Sequence, residues 1–295
     1  MTKAEKAELF KTKLREKLRT YKTHPFSLIM MILVTLACAV TIFLFIALVG
    51  YVCVKGIPYL KPSLFALNYT TENVSMLPSI TTVEMVGITL LIAVPLGVFC
   101  AIYLCEYAKR GNKLVKIIRL ATETLSGIPS IIYGLFGMLF FVTAIKWGYS
   151  ILAGSFTLAI MVLPTIIRST EEALLAVDDS YREGSFGLGA GKLRTVFVIV
   201  LPSAASGILS GIILSIGRIV GETAALIYTA GTVAKIPESV LDSARTMSIH
   251  MYSLSREGLH VGEASATAVI LLVTVLLLNT IAEMIARRFA ARQGA

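Results

Sequence analysis

Two oppositely charged residues, Arg218 and Glu222, lie inside a long apolar stretch, residues 205–230. A charge at the centre of a bilayer costs about 2.5–3.5 kcal/mol, so it persists where it faces a bundle interior, forms a pair or meets a substrate. Their i,i+4 spacing predicts one shared helix face. The planar guanidinium of an arginine suits an oxyanion, and Glu222 could accept a hydrogen bond from a protonated one. The structural alternative is an ion pair that joins two helices.

Arg168 and Glu171 form a second candidate pair, at i,i+3, near the end of the apolar stretch 150–169. Pro164, one turn earlier, perturbs the helix and favours a role in a pathway. The alternative is that Arg168 reaches the lipid headgroups, its apolar stem lying along the span. The predicted substrate pathway therefore contains Arg168, Glu171, Arg218 and Glu222.

The rest of the chain predicts the elements that must position these residues. The 295 residues are 56% hydrophobic and only 15% charged, whereas about 25% of the residues of soluble proteins are charged. A bilayer span needs about 20 apolar residues. Six spans are predicted, at residues 27–54, 79–104, 126–146, 150–169, 205–230 and 264–286. The expected fold is an all-α, polytopic membrane bundle, without the nucleophile–base or metal constellation of an enzyme.

The positive charge is concentrated in three clusters that flank the predicted spans. The net charge is +9, and the clusters lie in residues 1–22, 109–119 and 287–292. Basic segments stay in the cytoplasm, so both termini are expected there. Because the basic clusters flank spans and no recognition fold accompanies them, we expect no binding of nucleic acid. Residues 1–24 predict a basic amphipathic helix on the inner leaflet or a solvated tail. Residues 25–295 then form the transmembrane domain.

Residues 171–202 form a long polar segment on the predicted cytoplasmic side. A polar helix, a glycine-rich turn and a short apolar helix follow one another there. A long loop in a compact protein is usually functional or has its own structure. The segment predicts a helix–turn–helix outside the bilayer that presents a face to a partner, and a plain solvated connection is the alternative.

The spacing in this segment resembles the loop of ABC importer membrane subunits, which reads E-A-A, three residues, G, nine residues, I-x-L-P. The residues at those positions are Glu183, Gly184, Ser185, Gly189, Ile199, Leu201 and Pro202. Two small residues replace the two alanines, although glycine weakens a helix by about 1 kcal/mol relative to alanine. The resemblance implies a coupling helix seated in a cleft of an ATP-hydrolysing subunit. The phosphate-binding motif of ATPases, GxxxxGK(S/T), does not occur in the chain. We therefore expect ATP and Mg to bind to a separate polypeptide, and we expect no cofactor in this chain.

Three further stretches resemble the membrane subunits of phosphate-uptake ABC transporters of the PstA type. They are Leu125–Gly137, Gly217–Gly231 and Ser248–Gly258, and the resemblance extends over roughly residues 25–290. It implies half of a phosphate pathway in a bacterial inner membrane, working by alternating access. The implied partners are a PstC-type permease, two PstB-type ATPases and a PstS-type binding protein. Sulfate or molybdate stays open as the substrate, whereas Glu183–Pro202 argues against an ion channel or a secondary carrier.

Residues 231–263 predict an outer segment with a short helix at 238–256. This segment either docks an extracytoplasmic binding protein or caps the outer mouth of the bundle. The sequence leaves both roles open.

Overall fold

The computed structural model describes residues 25–66, 69–70, 72–76, 80–109, 111–258 and 260–291. These ranges are helical and contain no strand, which confirms the all-α prediction. The predicted amphipathic helix at 1–24 lies outside the described residues. The helices are α1 (Pro25–Gly56), α2 (Thr81–Ile102), α3 (Lys113–Ser126), α4 (Ser130–Gly137), α5 (Ile151–Leu175), α6 (Asp179–Gly187), α7 (Lys192–Thr195), α8 (Ala205–Gly221), α9 (Ala224–Ile227), α10 (Met247–Glu257) and α11 (Val261–Ala291).

Helix α1 confirms the first predicted span and extends it by two residues at each end. Its 32 residues correspond to about 48 Å of helix, which exceeds the hydrocarbon thickness of a bilayer. The helix is apolar on all sides, as expected of a segment that faces lipid. Residues up to Val54 form one compact unit, and residues from Lys55 onward form a second.

The second unit is a helix bundle built on the packing of α2 against α5. Helix α8 packs on α5 and on α11, and α10 packs on α11. The core between these helices contains fully buried apolar side chains, among them Met85, Leu158, Met161, Ile166 and Val220. Helices α1, α2, α5 and α11 are each long and apolar enough to span a membrane.

The two remaining predicted spans are bent pairs of helices, so the described chain has four to six spans. Helices α3 and α4 meet at 106°, and the helical segment from Lys192 to Ser203 meets α8 at 64°. The first bend occurs because Pro129 lacks an N–H and disfavours a helical conformation in the residue before it. The basic cluster at 109–119 therefore lies mostly in the separate amphipathic helix α3.

A short connection that includes Lys146–Tyr149 joins the end of the span containing α4 to the start of α5. π-helical turns extend three of the helices, and they are Tyr103–Tyr107 after α2, Met138–Ala144 after α4 and Val196–Val200 after α7. After the second of these turns the chain reverses its direction, with Lys146 at φ 63° and Gly148 at φ 68°. Helices α4 and α5 consequently pack against each other as antiparallel neighbours.

Small residues allow α8 to lie close against α5. Gly207 faces Ala173, and Gly211 faces Ser169 so closely that a Cβ at Gly211 would collide with the Ser169 hydroxyl. Such small residues, four positions apart on one helix, let two helix backbones approach closely. By contrast, a Cβ placed on Gly217 would meet no atom of the described residues within 4 Å, apart from its own helix backbone, so this glycine makes no close contact with another helix.

The described parts of residues 57–76 and residues 228–258 form what we call the distal lobe, at the opposite end of α5 from α6. The helix predicted at 238–256 begins only at Met247. The residues before it turn instead, because Asp242 Oδ2 accepts hydrogen bonds from the backbone N–H groups of Glu238 and Ser239, each at 2.9 Å. Such local bonds compete with helix formation. The hydroxyl of Thr246 then caps the start of α10.

His250 is completely buried in the distal lobe, edge-on to Tyr69 at a centroid distance of 6.1 Å. Burial, reinforced by the charge of Arg245, lowers the pKa of His250 from 6.5 to about 4. The folded lobe therefore favours the neutral imidazole, and the unfolded chain binds more protons between these two values. The stability from this residue is complete above pH 6.5 and is lost as the pH falls toward 4.

We expect the distal lobe to lose about 2 kcal/mol of stability between pH 7 and pH 5. The measurement is the free energy of local opening from hydrogen exchange of the α10 amides, corrected for intrinsic exchange rates. His250→Phe should remove most of this dependence, and His260→Gln, at a partly exposed site, should retain it. If the unmutated protein has the same opening free energy at pH 7 and at pH 5, the buried His250 does not control the stability of the distal lobe.

Candidate functional site

Arg218 lines a cavity of about 660 Å³ between α5, α8 and α11, in which a few polar side chains interrupt a mostly apolar surface. The cavity is lined by Thr165, Ser210, Ile213, Leu214, Gly217, Arg218 and Asn279. Arg218 is half-buried and makes no hydrogen bond or ion pair with the part of the chain that the structure describes. A cation that has no protein partner and lies beside neutral polar groups can bind an anion through charge-assisted hydrogen bonds.

Asn279 is a cavity residue that the sequence reasoning missed. It lies in α11, and its buried Oδ1 has no hydrogen-bond partner among the described residues. A lone amide in the apolar stretch 264–286 was the available signal, because polar groups in a span usually face the bundle interior.

Glu222 is not part of the cavity lining, and the predicted helix face shared with Arg218 is wrong. Helix α8 ends at Gly221, and Glu222 is extended with ψ 128°. Its buried carboxylate accepts a hydrogen bond from the Ala225 N–H at 3.0 Å. Its carbonyl oxygen accepts one from the Ser248 hydroxyl at 2.6 Å. Glu222 therefore stabilises the break between α8 and α9 and connects it to α10.

A second cavity, of about 670 Å³, lies beside the first along α5 and α8. Both cavities are lined by Thr165 and Leu214. The second also contains polar or charged side chains of Arg119, Thr122, Glu123, Ser126, Arg168, Ser169, Glu171 and Glu172. Together the two cavities form a polar path from Arg218 to the end of α5 that precedes α6.

Arg168 and Glu171 both line this second cavity, but the predicted pairing between them is wrong. Arg168 Nε instead contacts Glu172 Oε1 at 3.0 Å, with both side chains largely exposed. Glu171 pairs with Arg119 of α3. The packing of α3 on α5 brings a cation to Glu171, and this leaves Arg168 to the next carboxylate on its own helix.

Residues 176–203 form the predicted helix–turn–helix, with α6 as its first helix. The carboxylate of Asp178 caps α6 by accepting from the Ser180 N–H at 2.8 Å. Gly189 turns the chain at φ +82°, a conformation that glycine adopts without strain. The Ser185 and Thr195 hydroxyls form a buried hydrogen bond of 2.8 Å that holds α6 to α7.

The residues predicted to contact an ATPase divide into two groups. Glu183, Gly184 and Gly189 are exposed. Ser185, however, is buried against Thr195, so its side chain does not belong to the exposed surface of the segment. Leu201 packs against the buried core of this end of the bundle, with Ile199 and Pro202 half-buried beside it. The inward-facing residues position the surface that the exposed residues form.

The sequence reasoning missed the apolar part of this surface. Leu188 is 91% exposed, and Tyr181, Phe186 and Leu193 are exposed around it. Clustered exposed apolar side chains mark sites of protein–protein contact. Their recurrence within a polar segment was the available signal. We call Tyr181, Phe186, Leu188 and Leu193 the coupling patch.

Comparisons with known proteins agree with this arrangement. Residues 93–294 match the family described as binding-protein-dependent transport system inner membrane component. The chain is 36% identical over 209 residues to the probable ABC transporter permease protein YqgI of Bacillus subtilis (strain 168), covering 65% of this chain and 70% of that protein. It is 33% identical over 213 residues to the phosphate transport system permease protein PstA 1 of Mycobacterium tuberculosis (strain CDC 1551 / Oshkosh), covering 71% and 69%.

A solved structure shows the same fold at low sequence identity. One chain in the crystal structure of a bacterial alginate ABC transporter, in complex with an alginate pentasaccharide-bound periplasmic protein, superimposes with a TM-score of 0.65. The two chains are 15% identical, and the match covers 89% of this chain and 95% of that one. This likeness concerns the fold alone.

Proposed function

Because this chain belongs to the family of binding-protein-dependent transport system inner membrane components, we propose that it is the permease subunit of an ATP-driven importer of inorganic phosphate. The observation that carries the proposal is that Arg218 lines a cavity of the bundle and has no ion-pair partner among the described residues. The guanidinium can donate to two oxygens of one anion, and it keeps its charge throughout transport. Relatives described as phosphate transport permeases support phosphate as that anion.

The orientation that we propose for the chain in the membrane is based on the helix–turn–helix at residues 176–203. Helix α6, the coupling patch and both termini lie in the cytoplasm, and the distal lobe lies on the outer face of a bacterial inner membrane. Basic residues of α3 support this orientation. The distal lobe then lies where an extracytoplasmic PstS-type protein delivers phosphate.

The coupling patch supports an ATPase as the cytoplasmic partner. Two PstB-type subunits bind ATP and Mg, and one of them receives Leu188 and the exposed face of α6. A PstC-type permease supplies the other half of the pathway. This chain contributes no covalent chemistry and no cofactor of its own.

Transport proceeds by alternating access along the two cavities. Arg218 holds the anion through charge-assisted hydrogen bonds, while the Thr165 and Ser210 hydroxyls lie on the same cavity. Release leads past Thr165 and Leu214 into the second cavity, where Arg119 and Arg168 are each paired with a carboxylate. Those carboxylates weaken the hold on an anion, which favours its release inward.

Glu222 does not line the cavity of Arg218, so its carboxylate is not placed to accept a hydrogen bond from a protonated phosphate bound there. Phosphate and sulfate must therefore be distinguished by other groups, in the partner permease or in the binding protein. The choice between these anions is a matter for direct measurement.

The test is uptake of radiolabelled phosphate into cells that express the complete complex. We expect uptake to require ATP, to be competed by unlabelled phosphate and to resist excess sulfate or molybdate. Purification of this chain should also recover an ATPase and a second permease. Uptake driven by a proton gradient without ATP would overturn the proposal, and competition by sulfate would assign a different oxyanion.

A further inference from the structure

Arg182, in the middle of α6, connects this helix to two other elements of the bundle. Its Nε and Nη2 donate to Glu106 Oε1 at 3.1 and 2.9 Å. Its Nη2 and Nη1 also donate to the carbonyl oxygens of Leu174 and Val177, each at 2.8 Å. A fifth bond joins Nη1 to Asp179 Oδ1 at 3.1 Å. A guanidinium has five N–H donors, so every donor of Arg182 is used.

The contacts of Arg182 on either side of α6 are sheltered from solvent. The side chains of Arg182 and Glu106 are only 16% and 10% exposed, so removal of either charge would leave the other buried and uncompensated. The carbonyl of Leu174 belongs to the last turn of α5, and that of Val177 lies two residues beyond the end of this helix, where the chain offers C=O groups that no further helical turn pairs. A cation at this end also interacts favourably with the helix dipole. The position of α6 is therefore fixed relative to both α5 and α2.

A second contact joins the same elements through the other half of the helix–turn–helix. Lys192, at the start of α7, places its Nζ 5.1 Å from the ring centroid of Tyr107, a favourable cation–π distance. Tyr107 and Glu106 both belong to the π-helical turn that follows α2. Both halves of the helix–turn–helix thus contact one turn at the end of α2.

The helix that Arg182 caps also carries the polar path. Thr165 and Arg168 line the cavities from α5, a few turns before Leu174. We propose that Arg182 is a positioning residue that makes α6, the end of α5 and the π-helical turn at 103–107 move as one body. A movement that an ATPase imposes on α6 then reaches the cavity through α5. This inference rests on the proposed ATP-driven function.

The test measures the movement directly in the purified complex, in lipid nanodiscs and in a background that lacks the four native cysteines. Spin labels at Ser180→Cys and Lys109→Cys, both at exposed sites, report the distance between α6 and the end of α2 with and without ATP. We expect one constant distance in the parent complex. In Glu106→Gln and in Arg182→Gln, we expect that distance to change between the two states.

The same variants should separate ATP hydrolysis from transport. We expect the ATPase to remain bound and basal hydrolysis to persist, while stimulation by the substrate-loaded binding protein is lost and uptake falls about 10-fold. The double variant should lose no more than Arg182→Gln alone, because that single variant already removes the Glu106 contact. Asp179→Asn is the matched control, since it removes only the contact of Arg182 with a carboxylate that is 85% exposed, and it should behave like the parent.

Three outcomes would overturn the inference. One is a label distance that already changes with ATP in the parent complex. Another is a Glu106→Gln complex whose distance stays constant and whose hydrolysis is still stimulated. The third is a purified complex without any ATPase. That outcome would contradict the proposed ATP-driven function, and with it the proposed role of Arg182. A different anion specificity would change only the proposed substrate, because the label distances do not depend on which anion is carried.

Discussion

Arg218→Gln is expected to reduce phosphate uptake by about 30-fold or more while the complex stays assembled. Loss of a charge-assisted interaction with a desolvated anion costs about 2–5 kcal/mol, and each 1.4 kcal/mol is a factor of ten. Assembly should survive because Arg218 makes no hydrogen bond or ion pair with the described residues. The measurement is the initial rate of uptake, with the recovered subunits quantified in parallel.

Two further variants make this experiment specific to the cavity. Arg218→Lys keeps the charge but loses the bidentate geometry, so we expect an intermediate rate. Arg256→Gln removes an exposed arginine of α10 and should transport normally. If Arg218→Gln takes up phosphate at the parent rate, the assignment of this residue to the pathway is wrong.

Leu188→Asp is expected to weaken the association with the ATPase by about 30-fold or more. Central apolar residues of an interface commonly contribute 2 kcal/mol or more, and a buried, unpaired carboxylate adds a desolvation penalty. The variant should fold normally, because Leu188 is 91% exposed in this chain. The measurement is the amount of ATPase that co-purifies at increasing dilution.

Leu241→Asp is the matched control, because it introduces the same change at an exposed leucine of the distal lobe. It should recover the ATPase in full. Glu183→Lys probes the polar part of the same surface, and it should release the ATPase or uncouple hydrolysis from uptake. If Leu188→Asp retains the ATPase at every dilution, the coupling patch is not the interface.

Much of the fold could be predicted because the relevant signals are local. A run of about 20 apolar residues meets the length requirement of the bilayer wherever it occurs, and this placed α1, α2, α5 and α11. The helix–turn–helix was equally accessible, since Gly189 and the small residues of α6 specify its turn by their own geometry. The bends were harder, because the 106° angle between α3 and α4 depends on where each helix finds a packing partner.

The charged residues show where the local signals end. Spacing alone predicted that Arg218 would face Glu222, but the helix stops one residue before the glutamate. Spacing also predicted a contact of Arg168 with Glu171, whereas Arg119, 52 positions away, takes that carboxylate. A carboxylate pairs with the cation that packing brings nearest, and the hydrophobic pattern does not specify that neighbour.

The sequence by itself determined that this chain is a membrane bundle with an arginine in a span and a polar helix–turn–helix between two spans. These features follow from composition and from short-range spacing, which the chain carries before it folds. Only the tertiary structure decided which groups meet: Arg218 remains unpaired at a cavity, and Arg182 is bound to Glu106, 76 positions earlier. The reason is physical, because contacts between distant segments depend on how helices pack and where they break.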